Sequence, residues 1–468
     1  MIFLLKAFQL LLSLAIIVVL HELGHFLPAK YFKTKVEKFY LFFDWPFALF
    51  KRKIGETEYG IGAIPLGGYV KISGMIDESM DTEHLKKDPE PWEFRSKPTW
   101  QRLIIMLGGV TVNIILGFAI YIMITFVWGK TILTNDNLPA GFEVSELVKP
   151  YGFEDGDKIL QVNGEDLENV IDINKFLFLR DVSDVKVLHS DGSRELIEVP
   201  EDIGSLMFES GVMRPFMPLV EPIIDSIVPN SPAENAGFLS GDKIVSVNGN
   251  EIVKWQDFTE LISANTSPNI NITINRNRDL LSKIIPLNED KKLGVSVALP
   301  KIEPIEVKYS LAESLVEGSI IGYWTLMDYV GQFKYIFTQE GASQLGGFGT
   351  IGNIFPSSWN WRGFWETTAL LSIILAFMNA LPIPALDGGH VMFLIYEMVV
   401  GKKPNTRVYE LAQMIGFFLL IALVCMQMLW MSSDFCSTNY LTKKKYNLYL
   451  PTLKQHSSLA QLVRASDC

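Results

Sequence analysis

"AIIVVLHELGHFLPAK", residues 15–30, carries an apolar, helix-like run directly into His-Glu-x-x-His. No ionisable side chain lies between Lys6 and His21, so the chain approaches the motif through hydrocarbon. The run is long enough to span a bilayer, and three more follow it. The four cover about residues 4–27, 103–128, 367–386 and 411–433, and the last three contain no charged residue. Across 468 residues, 49% are hydrophobic and the mean hydropathy is +0.22, both high for a soluble protein. The expected fold class is therefore a polytopic α-helical membrane protein with four transmembrane helices.

Residues 1–20 do not read as a cleaved leader. They carry one lysine and no small-residue cleavage site, and a cut there would sever the apolar run from its motif. Residues 30–53 hold Lys30, Lys33, Lys35, Lys38, Lys51, Arg52 and Lys53 against Glu37 and Asp44, and Lys402, Lys403 and Arg407 precede the fourth run. The positive-inside tendency places both loops in the cytoplasm and the long polar insert outside. A net charge of −11 without a basic stripe argues against nucleic acid as a partner. The three cysteines, Cys425, Cys436 and Cys468, all lie late, so the insert has no disulfide framework and rests on packing.

The insert repeats itself. "GFEDGDKILQVNG" at 152–164 and "GFLSGDKIVSVNG" at 237–249 agree at nine of thirteen positions, with an offset of 85 residues. Each reads as a turn, a β-branched strand and an Asn-Gly hairpin turn, predicting two tandem β-rich domains. These stretches resemble PDZ domains of the circularly permuted bacterial kind, which implies capture of extended peptides at a sheet edge near 210–215 and 292–297. "IGETEYGIGAIPLGGYVKI", 54–72, predicts a Gly-rich hairpin near the membrane, with Pro65 unsuited to a central strand. Residues 305–345 read equally as an amphipathic or interfacial helix carrying Tyr323, Trp324, Tyr329 and Phe333 and as a helix capping the second β-domain.

On a helix, residues four apart share a face, so His21 and His25 aim at one point with Glu22 beside it. Two imidazoles suit Zn²⁺, and an adjacent glutamate suits the general base of a hydrolytic zinc site. Ionisable groups at membrane depth are costly unless paired or coordinated, which makes the cluster functional by default. "NALPIPALDGGH", 379–390, ends the third run, and under this topology Asp387 reaches the same cytoplasmic depth as the histidines. Two histidines and one carboxylate complete a catalytic zinc set with an open position; His390 is the rival third ligand. Pro382 and Pro384 break the helix before Asp387 and free backbone groups that a water-filled cavity would satisfy. Asn379 and Asn113 are apolar-run amides able to hold a substrate carbonyl or its oxyanion, or, as readily for Asn113, to hydrogen-bond neighbouring helices.

The HELGH motif closing a first span, "GIGAIPLGGYVKI", "GGVTVN", the tandem PDZ-like repeats and "NALPIPALDGGH" occur in that order. Together they resemble the site-2 protease family of intramembrane zinc metalloproteases, most nearly its bacterial sigma-E regulator group, over residues 1 to about 433. The resemblance implies His21, His25 and Asp387 as zinc ligands and Glu22 as general base. Asn379, Pro382 and Pro384 would line the substrate path, and Gly67 and Gly68 would belong to a membrane re-entrant β-loop. It further implies an inner-membrane enzyme, in contact with lipid, cutting single-pass substrates such as anti-sigma factors or remnant signal peptides, with the PDZ pair outside as a size filter. Phe348 stands where the family pattern leads one to expect proline.

The expected organisation is 1–130 for the first two spans with the motif and the cytoplasmic-side β-loop, 131–215 and 216–300 for the PDZ-like domains, 301–365 for the amphipathic helical segment, 366–433 for the last two spans and 434–468 for a disordered tail. Rival readings are a membrane-anchored PDZ scaffold with a vestigial metal site, which would need no base at Glu22, and a metal transporter, which would need a second site along the spans.

Overall fold

The computed structural model describes residues 2–75, 88–287, 291–337, 352–405, 407–419 and 421–422. The expected tail, all three cysteines, Phe348 and the end of the fourth run lie outside the described residues. Residues 130–307 form one compact unit, and the flanking residues to Gly129 and from Lys308 form another.

Helix α1 (Ile2–Tyr31) carries the opening motif and continues past it. Pro28, near its end, has no N–H to give the Gly24 carbonyl. That carbonyl instead faces Gly108 of α2 (Thr99–Trp128), where a Cβ would lie 1.9 Å from it. Between the two helices, β1 (Val36–Ile54) and β2 (Thr57–Ile72) form the membrane-side sheet. Lys38 registers with both Glu58 and Lys71, and Tyr40 with both Gly60 and Tyr69, so residues 36–43 run between two segments of β2. Residues 48–54 pair on the far side of 57–62. The sheet thus starts earlier than the expected hairpin at 54–72, inside what the lysine count marked as a loop. Its aromatic residues explain this, since Phe39 packs edge-on against Phe26 of α1 at 5.3 Å. Ala29, Val36, Val70, Ile72, Ile105 and Met106 close a core joining α1, the sheet and α2.

In the β-unit, β3 (Lys130–Ile132) pairs with β16 (Ile305–Val307), so the chain enters and leaves side by side. Strand β4 (Phe142–Val144) pairs with β9 (Phe216–Pro218), and β10 (Ile224–Ile227) with β15 (Val295–Val297). Each repeat builds a four-stranded sheet of the same order. The first is β6 (Glu165–Asp166), β5 (Lys158–Val162), β7 (Asp184–Leu188), β8 (Arg194–Glu198). The second is β12 (Asn250–Glu251), β11 (Lys243–Val247), β13 (Asn269–Arg276), β14 (Asp279–Pro286). The Asn-Gly turns form as read: φ is +52° and +78° at Asn163 and Gly164, and +51° and +87° at Asn248 and Gly249. Helices α3 (Ile173–Leu179) and α4 (Ile203–Ser210) add to the first repeat, and α5 (Pro232–Asn235) and α6 (Trp255–Ala264) to the second. There are two cores, and the first reaches past residue 215 to take in Phe216.

Helix α7 (Leu311–Phe333) opens on a capping box between Ser310 and Glu313. It meets α2 through two glycines spaced by four, Gly318 and Gly322, where a Cβ on Gly318 would lie 2.5 Å from Ile122 Cα. Tyr329 and Phe333, expected in an interfacial belt, pack instead against Phe377 of α8 (Trp361–Ala380), each at 5.4 Å. Helix α8 stops at Ala380, as expected from Pro382 and Pro384, which have no N–H to continue it, so the apolar run to 386 is not helical throughout. Helix α9 (Asp387–Val400) then starts, and residues 407–419 and 421–422 are helical. Among the described residues, α1, α2 and α8 are long and apolar enough to cross a membrane.

Candidate metal centre

One turn of α1 sets His21 above His25, and the first residue of α9 brings Asp387 to them. His21 Nε2 lies 3.2 Å from Asp387 Oδ2, His25 Nε2 lies 3.3 Å from the same oxygen, and the two Nε2 atoms are 3.3 Å apart. Three ligands of a tetrahedral ion bound at about 2.0–2.1 Å stand about 3.3 Å from one another, so the triangle has the size zinc requires. Asp387 Oδ2 is buried with no hydrogen-bond donor, an arrangement a cation would relieve. This is the group of His, Cys, Asp and Glu side chains able to hold a metal among the described residues.

The ligand rings are held from behind. His25 Nδ1–H donates to the Ile105 carbonyl at 2.8 Å, which turns its Nε2 towards Asp387. His21 Nδ1 meets the Asn113 amide at 3.1 Å, and the Asn113 backbone carbonyl accepts from Ser372 Oγ at 2.8 Å. The amide nitrogen Nδ2 is the atom that faces Nδ1, and Asn113 Oδ1 is buried without a partner. A metal on Nε2 would leave the proton on Nδ1, and the amide turned over by 180° would then accept it through Oδ1. Asn113 is thus fully buried against His21 rather than open to a substrate. Asn379, from the end of α8, is partly buried and reaches His21 Nε2 at 3.4 Å. Glu22 adjoins both histidines and Asp387, and its carboxylate accepts from the Val70 N–H of β2.

Several of these features escaped the sequence reading. Gly109 is packed so closely that a Cβ there would lie 2.4 Å from His25 Nε2 and 2.6 Å from His21 Cε1. Gly24, inside the motif, faces the Gly108 carbonyl at 2.3 Å by the same measure. The glycine pair in an apolar run was the available signal, because small residues mark where membrane helices touch. Gly68 admits the sheet to α1, as a Cβ there would lie 2.8 Å from Val18 Cγ1, and Gly67 sits over the Phe43 ring. Pro382 and Pro384 lie in the turn before Asp387. His390, the rival ligand, points away and pairs with the Tyr409 hydroxyl.

A family model described as Peptidase family M50 matches residues 9–423, a span that contains every one of these residues. The chain belongs to peptidase family M50. As an M50 peptidase, the site-2 protease family, it is an intramembrane zinc metalloprotease. Curated M50-like relatives include the Regulator of sigma E protease of Haemophilus influenzae, 30% identical over 443 residues that cover 88% of this chain and 95% of that protein. The Regulator of sigma-E protease RseP of Escherichia coli is 28% identical over 442 residues, with the same coverage of 88% and 95%. The RseP of Salmonella typhimurium is 28% identical over 455 residues.

Proposed function

We propose that His21, His25 and Asp387 hold the zinc of this protease, that Glu22 is its general base, and that it cuts peptide bonds inside single-pass membrane substrates. The observation that carries this reading is the triangle of two imidazole nitrogens and one carboxylate oxygen, with a second carboxylate beside it, on a helix long and apolar enough to cross a membrane. Zinc bound there supplies a Lewis acid for the scissile carbonyl and for water. Glu22 takes the proton of the attacking water and passes it to the leaving amine as the C–N bond breaks. The Asn379 amide, on the open side of His21, donates to the carbonyl oxygen, while Asn113 fixes the His21 ring from behind.

A helical substrate has its carbonyls already bonded, so it must unwind before it can react. Residues 64–72 pair with 36–43 on one side, and among the described residues their other edge has no strand partner. That edge, beginning beside Pro65 and carrying Gly67 and Gly68, offers the unwound segment a strand to join, next to Glu22. Pro382 and Pro384 keep the facing loop open.

The protein sits in the bacterial inner membrane with four spans, and the helical residues 407–419 and 421–422 belong to the fourth. Both repeats are PDZ domains on the periplasmic side, and the metal lies nearer the cytoplasm. Relatives named as sigma-E regulators point to anti-sigma factors as substrates. The PDZ pair excludes substrates that still carry bulky outer domains.

Glu22→Gln tests the assignment. The variant keeps its fold and about one zinc per chain, as expected of a single three-ligand site, while cleavage of a model single-pass substrate in detergent falls by on the order of a thousandfold or more. Near-normal turnover would remove Glu22 from the mechanism.

A further inference from the structure

We propose that Gln413 is a positioning residue that locks the turn presenting Asp387 to the metal; this rests on the reading of Asp387 as a ligand. The turn is Ile383–Leu386, closed by the Leu386 N–H donating to the Ile383 carbonyl at 3.1 Å. Pro384 occupies its second position, and Ala385 its third with φ +75°. This is the pattern of a type II turn, whose third position favours glycine because any Cβ there is strained. An alanine at that place needs an outside restraint.

Gln413 provides it. The Ala385 N–H points out of the turn and donates to Gln413 Oε1 at 2.6 Å, and Gln413 is only 5% exposed. One turn along the same helix, Gly416 lets the backbone close in, since a Cβ there would lie 2.0 Å from the Pro384 carbonyl oxygen. The helix from residue 407 therefore clamps both central residues of the turn. Asp387 begins α9 two residues after Ala385, so a change of φ at Ala385 swings its carboxylate off the histidine pair.

The test uses full-length protein in detergent, with zinc affinity read by competition against a chromophoric chelator and ligand geometry by the visible spectrum of the cobalt form. Gln413→Leu binds zinc on the order of tenfold more weakly and alters the cobalt spectrum. Gln413→Glu keeps an acceptor and stays near wild type. Adding Ala385→Gly to Gln413→Leu restores affinity, because glycine holds positive φ unaided. Wild-type affinity in Gln413→Leu, loss in Gln413→Glu, or no rescue by Ala385→Gly would each overturn the proposal. Asp387→Ala is run beside them: if it retains zinc, the ligand assignment fails, whereas loss there with unchanged Gln413→Leu refutes the clamp alone.

Discussion

At the scale of single residues, the site depends as much on what is missing from side chains as on what they carry. Gly109 leaves room for both imidazoles where α2 crosses α1, and its neighbour Gly108 lets the two backbones touch at Gly24. A methyl group at 109 would sit 2.4 Å from His25 Nε2, the atom proposed to hold the metal, and 2.6 Å from His21 Cε1. Gly109→Ala is therefore expected to lower zinc occupancy at least tenfold, comparable to losing an outer-shell partner, and to abolish cleavage while the helices still form. Zinc analysis of the purified variant checks this, and full occupancy would show that the rings shift freely. The two histidines and Glu22 were legible from their spacing alone. The glycines were quoted within a motif but their function was not, because a close approach between helices leaves no periodic mark in either one.

At the scale of elements, the two β-repeats share a frame but pair one buried, equivalent aspartate differently. Asp157 and Asp242 are equivalent, and each caps its own turn, accepting from the N–H of Glu154 or Leu239 at 2.8 Å. Asp242 is bound twice by Arg276, at 2.7 Å from Nε and 2.7 Å from Nη2. Asp157 is bound instead by His189 at 2.7 Å, with Glu195 on the other ring nitrogen at 3.1 Å. Burial works against a charged His189, but Asp157 and then Glu195 outweigh it and hold the imidazole above its ordinary range. A raised histidine stabilises the fold fully below its unfolded pKa, and that contribution is lost as pH rises through the folded value. The first repeat is expected to open more readily above neutral pH, while the second, with arginine, does not change over that window. Amide exchange of β5 and β7 in the whole protein, corrected for intrinsic rates, should show this slope. The slope should vanish in His189→Gln, and a slope that persists there would assign it to another group.

At the scale of the whole molecule, the insert is attached through neighbouring strands. Its first and last strands, β3 and β16, pair from Lys130–Ile132 to Ile305–Val307. Residues 133–304 can therefore be replaced by a short turn without pulling those strands apart. If the PDZ pair works as a size filter, that deletion cleaves substrates whose outer domains are intact, which the full-length protein leaves alone. Cleavage of a trimmed substrate, measured in parallel, should continue within about tenfold, the cost of roughly 1.4 kcal/mol in activation free energy. Loss of both activities would give the insert a direct part in catalysis instead.

The sequence by itself determined the features that depend on neighbours along the chain. Apolar length gave the three described helices long enough to cross a membrane, spacing of four gave the histidine pair, and Asn-Gly after β-branched residues gave both repeat hairpins. Tertiary structure decided which distant groups meet. It turned the lysine-rich segment after α1 into β1, because Phe39 found Phe26. It placed Asn113 behind His21, Gln413 under Ala385 and His390 away from the metal side, next to Tyr409. No local pattern encodes those pairings, since they follow from how helices and a sheet distant in sequence exclude volume and satisfy one another's buried polar groups.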